Sequence, residues 1–211
     1  MEKKLIMDDN FFNSVVLVIL LSLIINASCQ KNEILPEYET FTDSRDGEIY
    51  NYIKIGNQFW MSENLRFEPD SGNYWAYNNN EADIFTHGYL YDWETANNIC
   101  PAGWHLPSKA EWTELATKLG GFDVAGGKMK TTGTLNWNSP NRDATNSCGF
   151  SALPSGIYNG YDNFSGRGNI TYFWSSAVSL NIYWLSYNFG FLGETYFYLP
   201  QESASVRCVK D

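Results

Sequence analysis

The residues that hold structural zinc ions are scarce in this chain of 211 residues. It has four cysteines, no Cys-x-x-Cys pair, and only two histidines, His87 and His105. Structural zinc sites draw four ligands from cysteine and histidine at short characteristic spacings. The sequence therefore predicts no metal site, and nothing in it suggests a cofactor.

Basic residues are also few. Lys and Arg total 14 against 24 Asp and Glu, which gives a formal net charge of −10. Because negative charge repels phosphate backbones, we expect no nucleic acid partner. The same charge favours solubility.

The amino terminus carries a long apolar run. Lys3 and Lys4 precede an apolar stretch over residues 11–27, which Ser28 and Cys29 follow. A basic start, an apolar core and small residues indicate a secretory signal. The cysteine after Ala-Ser resembles the lipobox of bacterial lipoproteins, where the thiol carries diacylglycerol.

We therefore expect a signal peptide over residues 1–28 and lipid attachment at Cys29. The protein would lie in the cell envelope, at the outer membrane on its periplasmic or surface face. Plain secretion and an uncleaved anchor are the alternatives, although a run of about 17 residues is the shortest that spans a bilayer. Residues 29–45 are polar and acidic without a clear period, which indicates a tether, and residues 46–211 form one domain.

The domain begins with a predicted hairpin. Residues 49–55 and 58–61 are rich in β-branched and aromatic side chains and flank Gly56-Asn57. Glycine in the first position of a two-residue loop favours a type II′ turn. Residues 66–88 look irregular, and residues 91–98 suit a short helix.

A second helix is predicted after Ser108. Ser108 and Glu111 form a Ser-x-x-Glu capping box, and Gly120-Gly121 would end the helix. Its apolar face comprises Trp112, Leu115, Ala116 and Leu119.

The remainder of the chain reads as loop and strands. Residues 122–168 are rich in glycine and asparagine, which predicts a long irregular region. Strands are expected at residues 171–176, 182–188, 194–199 and 204–209, the middle two as a hairpin. The order of elements predicts an α+β fold.

Five blocks of sequence resemble one bacterial family, the Fibrobacter succinogenes major paralogous domain family. That family is typical of secreted proteins and lipoproteins of Bacteroidetes-like bacteria. The blocks span residues 54–66, 100–112, 149–156, 173–176 and 205–210.

The resemblance implies a C-type lectin-like domain with two helices, a twisted antiparallel sheet and a long irregular loop region that carries any ligand site. It also implies a disulfide between Cys100 and Cys208, which leaves Cys148 as a free thiol. The spacing of these three cysteines alone leaves all three pairings open.

Nothing in the residues predicts an enzyme. Residues 106–112 are similar to a run in formylglycine-generating enzymes, but Cys148 is left without the second reactive cysteine of that chemistry. His105, between Trp104 and Leu106, is more typical of a buried, hydrogen-bonded core residue than of a catalyst.

Calcium-dependent sugar binding is not predicted either. The Glu-Pro-Asn and Gln-Pro-Asp motifs of C-type lectins are absent, and Asn136-Trp137-Asn138 only partly matches their Trp-Asn-Asp motif. Asp143, Asn146 and Asp162 have oxygens that a metal could use only if folding brought them together.

Aromatic residues make up 17% of the chain. Four tryptophans at periodic or motif positions are expected in the core: Trp60, Trp104, Trp112 and Trp174. The loop aromatics Tyr74, Trp75, Tyr77, Tyr158, Tyr161 and Phe164 suit either a core or a ligand surface. Our candidate ligand-binding residues are Trp137, Asp143, Tyr158, Tyr161, Asp162 and Phe164.

The sequence therefore predicts a lipid-anchored envelope protein whose domain binds without catalysis. Its expected partner is an extracellular glycan or surface protein, recognised through the loops between residues 137 and 173. The alternative is a structural or assembly component of the envelope with no soluble ligand.

Overall fold

A five-stranded antiparallel sheet brings the two ends of the domain together. The computed structural model describes residues 36–177 and 180–211, all within the unit Pro36–Asp211. The sheet has the order β1-β2-β3-β12-β6. Its strands are β1 (Glu39–Thr42), β2 (Ile49–Ile55), β3 (Gln58–Met61), β6 (Trp104–His105) and β12 (Val209–Lys210).

The first hairpin is confirmed. Strands β2 and β3 pair antiparallel with Ile55 opposite Gln58. Gly56 has φ of +66°, whereas Asn57 keeps a negative φ. Positive φ at only the first loop position is the type II′ pattern, which glycine adopts without steric cost.

The fold begins earlier than the boundary at residue 46 expected from composition. Glu39–Thr42, within the segment assigned to a tether, forms β1 and pairs with β2 over four residues. The polar strand escapes recognition because it lies at the edge of the sheet, where three of its four residues are exposed. Cys29 and the leader lie outside the described residues.

Four α-helices are present in the described ranges. They are α1 (Ile84–His87), α2 (Trp93–Ala96), α3 (Lys109–Lys118) and α4 (Phe122–Met129). The prediction that residues 66–88 are irregular is therefore wrong in part. This stretch contains α1, short 3₁₀ turns and β4 (Tyr74–Trp75), which pairs with β5 (Leu90–Tyr91). The helix predicted at 91–98 shrinks to α2.

Helix α3 follows its prediction. Ser108 Oγ accepts from the Glu111 N–H, and Glu111 Oε2 accepts from the Ser108 N–H at 2.8 Å. Trp112, Leu115 and Ala116 are buried. These contacts satisfy amide groups that a helix start leaves unpaired.

Helix α4 lies in the region predicted to be irregular, so that prediction is wrong for residues 122–129. Its two glycines allow close backbone approach: Gly126 meets the carbonyl of Phe191, and Gly127 meets that of Asp143. A Cβ at either position would collide with backbone atoms. Tertiary packing therefore selects glycines that lower the helix propensity of the segment.

A three-stranded antiparallel sheet, in the order β11-β10-β9, faces the core. It consists of β9 (Ile170–Trp174), β10 (Asn181–Ser186) and β11 (Gly193–Tyr196), which confirms the second hairpin. A small hairpin, β7 (Ile157–Tyr158) and β8 (Phe164–Ser165), stands beside it. The strand predicted over residues 204–209 is wrong in part. Only its last residue belongs to a strand, β12, while Ala204 and Ser205 form isolated bridges.

The four tryptophans expected in the core are buried, as predicted. Trp60 packs on Trp112 with ring centroids 4.7 Å apart. Helices beside antiparallel sheets make this an α+β fold. Within residues 36–177 and 180–211, no helix has the length and apolar character to cross a membrane.

Candidate functional site

The motif blocks converge on a buried polar cluster rather than on the surface. Arg207 is 1% exposed and donates to Asn64 Oδ1 at 2.6 Å and to the carbonyls of Met61 and Phe150 at 3.0 and 2.6 Å. Asn64 Nδ2 donates to Ser155 Oγ at 2.9 Å. Burial lowers the pKa of Arg207 to about 9, which leaves it charged at neutral pH. The cluster joins the blocks internally and offers no group to a ligand.

A serine–histidine contact in this cluster is closed to solvent. Ser155 Oγ lies 3.4 Å from His87 Nδ1, and the two residues are 1% and 7% exposed. Burial, aided by the charge of Arg167, lowers the pKa of His87 to about 4. No substrate carbonyl can reach this serine, so the contact is structural.

The expectation that His105 is buried is wrong. Its side chain is 40% exposed, with Nε2 2.7 Å from Glu111 Oε1 and Nδ1 2.7 Å from Asp211 Oδ1. Strand β6 places the ring at the sheet rim, beside the first turn of α3. Partial burial disfavours the imidazolium, but the two carboxylates outweigh it and raise the pKa of His105. Both ring nitrogens are engaged, so neither is free for a substrate.

The disulfide between Cys100 and Cys208 is confirmed, with the sulfur atoms 2.09 Å apart. It joins the loop before β6 to the segment before β12. Cys148 is a free, half-buried thiol whose Sγ donates to the Lys128 carbonyl at 3.1 Å. Burial raises its pKa to about 11, so the unreactive thiol form prevails at neutral pH.

Two of the candidate ligand residues lie apart from the rest. Trp137 is 1% exposed and donates its indole N–H to the Ala152 carbonyl at 3.0 Å. It therefore belongs to the core and has no ring face open to a ligand. Asp143 is exposed and packs by its backbone on Gly127.

A buried lysine organises the loop that contains Asp143. Lys130 is 0% exposed, and its ammonium donates to the carbonyls of Arg142, Ser186 and Phe189 at 2.9, 2.8 and 2.8 Å. Burial lowers its pKa to about 8, an effect that the Asp143 carboxylate opposes. The three carbonyls therefore converge on the Lys130 ammonium, which supplies the positive charge at this point of the fold. In the described ranges, no three His, Cys, Asp or Glu side chains are grouped to hold a metal ion.

The other four candidates share the β7–β8 hairpin. Tyr158 is 6% exposed and stacks under Trp75, with ring centroids 4.2 Å apart and planes 19° apart. Phe164 lies 4.9 Å from Tyr158. At the tip, Tyr161 is 81% exposed and Asp162 is exposed beside it. The structure therefore unites two groups of loop aromatics that are about 80 residues apart in the sequence.

A cleft opens next to this hairpin. Backbone bonds from Tyr91 N to Ala204 O and from Ser203 N to Tyr158 O, each 2.9 Å, insert the segment before β12 between β5 and β7. This insertion places Pro200 and Gln201 opposite α2. The resulting Trp93 cleft has a volume of about 470 Å³ and is lined by Asn73, Asp92, Trp93, Glu94, Leu180, Pro200 and Gln201.

The Trp93 indole forms the aromatic wall of this cleft. Its N–H donates to the Ser175 carbonyl at 3.3 Å, and the residue is half-buried. Gln201 touches Gly160, the neighbour of Tyr161 at the hairpin tip. Tyr198, in the turn that precedes Gln201, is 89% exposed. Neither tyrosine lines the Trp93 cleft, but Tyr198 is three residues from Gln201 and Tyr161 adjoins the glycine that Gln201 touches.

A second depression, the Arg45 cleft, adjoins the first and has a volume of about 580 Å³. The two share three lining residues, Asn73, Asp92 and Glu94, which we call the ridge. The remaining lining of the Arg45 cleft is Arg45, Phe67, Pro69, Ser71, Gly72, Thr95, Asn98 and Ile99.

Two of the three charged residues that line the clefts are already hydrogen-bonded within the fold. Asp92 accepts from the Thr95 N–H at 2.9 Å and from Asn73 Nδ2 at 2.7 Å. Arg45 binds Asp43 at 2.6 Å and covers the ring of Phe67. Glu94 is exposed, and no side chain of residues 36–177 or 180–211 donates to its carboxylate. Among the described residues that line the clefts, Glu94 thus has a carboxylate that remains available to a ligand.

Sequence reasoning missed the residues of the Trp93 cleft. The sequence predicts a longer helix over Trp93 and Glu94, and Asn73 and Gln201 lie in stretches without any motif. A usable signal is Asp92, which is the N-cap of α2 and marks Trp93 as the first residue of a helix.

A protein-family model, the Fibrobacter succinogenes major domain, matches residues 53–210. The match covers all five motif blocks. It does not include the first part of the domain, which comprises β1 and most of β2. The chain matches no curated protein and no solved structure.

Proposed function

Because this chain belongs to the Fibrobacter succinogenes major domain family, we propose that it is a cell-envelope lipoprotein whose domain binds an extracellular glycan without catalysis. The Trp93 cleft is the proposed site. The observation that carries the proposal is the half-buried indole of Trp93 beside the amide of Gln201 and the unpaired carboxylate of Glu94. A ring face next to hydrogen-bonding groups suits a sugar, which has an apolar face and a hydroxyl edge.

The exposed tyrosines add support. Tyr161 and Tyr198 are 81% and 89% exposed, although aromatic rings of this size are usually at least partly covered. Aromatic side chains provide large contact areas with little loss of conformational entropy, and they are enriched in binding surfaces. Tyr198 is three residues from Gln201 and Tyr161 adjoins its contact Gly160, so both could extend the ligand contact beyond the cleft.

A glycan array probed with the full chain tests this proposal. We expect binding that Trp93→Ala and Gln201→Ala each abolish. Phe189→Ala is the matched control, because Phe189 is a 42% exposed aromatic residue on the β10–β11 hairpin and lines neither cleft. Thermal melts show whether each variant is folded. Equal binding by wild type and both cleft variants would refute the site.

Anchoring at Cys29 is part of the proposal and rests on its lipobox-like setting. Mass spectrometry of the mature amino terminus tests it. A diacylated Cys29 is expected, whereas an unmodified residue at another position would exclude a lipoprotein.

We also propose the C-type lectin-like fold for this domain. Its support is the sheet that joins β1 to β12, the Cys100–Cys208 bridge, and the consecutive helices α3 and α4. An experimental structure compared with known members of that fold tests this assignment, and a different strand order would refute it.

A structural role in the envelope is the second candidate. Trp184, Phe189 and Phe191 form an aromatic patch on the β10–β11 hairpin, with ring centroids 4.8 to 6.2 Å apart. Partly exposed apolar patches are common at protein interfaces. In this case Phe189→Ala would release the chain from an envelope complex that Trp93→Ala leaves intact.

A further inference from the structure

The Trp93 and Arg45 clefts meet at the ridge of Asn73, Asp92 and Glu94. We infer that they are two subsites of one groove for an amine-bearing oligosaccharide, and that Glu94 on the ridge selects the ligand's charge. This inference rests on the proposed function.

The ridge is fixed within the fold. Asn73 O accepts from the Asp92 N–H at 3.1 Å, and Asn73 N–H donates to Thr95 Oγ1 at 2.8 Å. Gly72 lies so close to the Thr95 side chain that a Cβ would collide with it. Both clefts therefore keep the same relative position, and a ligand that spans them meets a pre-organised surface, which lowers the entropic cost of binding.

The volumes favour an oligomer over a single sugar. At about 470 and 580 Å³, each cleft lies within the range for one small ligand. A ligand confined to one cleft leaves the other empty, whereas a chain of sugars crossing the ridge fills both. We expect the ring contact at Trp93 and hydrogen bonds at Ser71 and Asn98 in the Arg45 cleft.

The charges favour an amine. Arg45 is committed to Asp43 and to the Ile99 carbonyl, at 2.6 and 2.7 Å. Both oxygens of Asp92 accept hydrogen bonds from within the fold. The ridge carboxylate that accepts no hydrogen bond from a described side chain is therefore that of Glu94, which attracts an ammonium group and repels a carboxylate.

A cationic peptide would meet the same charge, but the groove suits it less well. Extended peptides are held by main-chain hydrogen bonds along a free strand edge. The described lining of both clefts comes from loops and from α2, and the short strands β4 and β5 next to it pair with each other. A sugar chain needs only side-chain partners and a ring face.

Calorimetry on the full chain tests the inference with five probes. Four are sugars, namely the glucosamine dimer and hexamer, the fully N-acetylated hexamer and a hexameric oligogalacturonate, and the fifth is the peptide hexalysine. We expect the glucosamine hexamer to bind about tenfold more tightly than the dimer and than the N-acetylated hexamer. The acidic hexamer should be the weakest.

Three variants separate the two parts of the inference. Ser71→Trp fills the Arg45 cleft and should reduce the hexamer to the affinity of the dimer without changing the dimer. Glu94→Gln should equalise the amine-bearing and N-acetylated hexamers. Glu114→Gln, an equal change of charge on α3 outside both clefts, should alter neither.

The outcomes distinguish this inference from the proposed function. Equal affinity for dimer and hexamer, or a hexamer unaffected by Ser71→Trp, overturns the two subsites. A charge preference that survives Glu94→Gln overturns the role of Glu94. In both cases binding that depends on Trp93 still upholds the proposed function. Hexalysine that binds more tightly than the sugar, with the same dependence on Glu94, overturns the sugar class, and no binding by any glycan refutes the proposed function itself.

Discussion

The indole of Trp184 on β10 lies across Gly193, its cross-strand partner on β11. A Cβ at position 193 would fall within the indole ring. The glycine therefore provides the space in which the large ring lies flat on the sheet, with Phe191 at 5.0 Å along its edge.

Gly193→Ala should destabilise the domain by about 2 kcal/mol, because overpacking forces the indole off its site. Urea denaturation measures this change. In a Trp184→Ala background the same substitution should cost much less, since the clashing ring is gone. Equal costs in both backgrounds would show that the strain does not come from Trp184.

The disulfide should contribute strongly to stability. Cys100 and Cys208 are 108 residues apart, and the chain-entropy model assigns a loop of that size about 4.7 kcal/mol, often less in practice. We expect the double variant Cys100→Ala/Cys208→Ala to lose about 4 kcal/mol in urea denaturation. Cys148→Ala is the control. If it lost as much free energy of unfolding as the double variant, this would contradict the assignment of the stabilising bridge to Cys100 and Cys208.

Lys130 should be essential to the order of the loop that follows α4. Lys130→Met leaves three buried carbonyls without their donor, which we expect to cost about 3 kcal/mol. Limited proteolysis should then cut between residues 131 and 146. Lys118→Met, at an exposed lysine of α3, should change stability by less than about 0.5 kcal/mol.

His105 should make stability depend on pH. Its pKa is raised in the folded state, so its contribution is fully present below the unfolded pKa of about 6.5 and is lost as pH rises through the folded pKa. The melting temperature of wild type should exceed that of His105→Gln more at pH 5 than at pH 9. A difference that grows with pH would contradict the ion pairs with Glu111 and Asp211.

His87 provides the opposite case. Burial lowers its pKa to about 4, so the folded state resists protonation and loses stability as pH falls from about 6.5 towards 4. His87→Gln should therefore reduce the acid sensitivity of the domain, as measured by its melting temperature at pH 4.5 and pH 7. An unchanged acid sensitivity would exclude His87 as its source.

Local chemistry made several elements predictable. The capping box of Ser108 and Glu111 and the glycine at position 56 act within a few residues, so their sequence is enough to place α3 and the first hairpin. The prediction for His105 shows the limit of such reasoning, because its hydrogen bonds are confirmed whereas its burial is wrong. Glu111 is only six residues away, but whether it reaches the His105 ring depends on the angle at which the chain passes from β6 into α3.

Helix α4 and strand β1 escaped prediction for a different reason. The glycines of α4 oppose a helix locally and are required by the approach of Phe191 and Asp143 from distant segments. Strand β1 is polar because it lies at a sheet edge, and only its pairing with β2 identifies it.

The sequence by itself determined the family, the α+β class and, through the family resemblance, the cysteines of the bridge. Each of these depends on short motifs or on the order of elements along the chain. The tertiary structure alone decided where the Trp93 cleft, our proposed ligand site, lies. The Trp93 cleft unites Asn73, Trp93 and Gln201 through the bonds of Ala204 to Tyr91 and of Ser203 to Tyr158. Contacts between segments so far apart in the chain leave no local sequence pattern, because they place no constraint on the residues that neighbour each segment in the sequence.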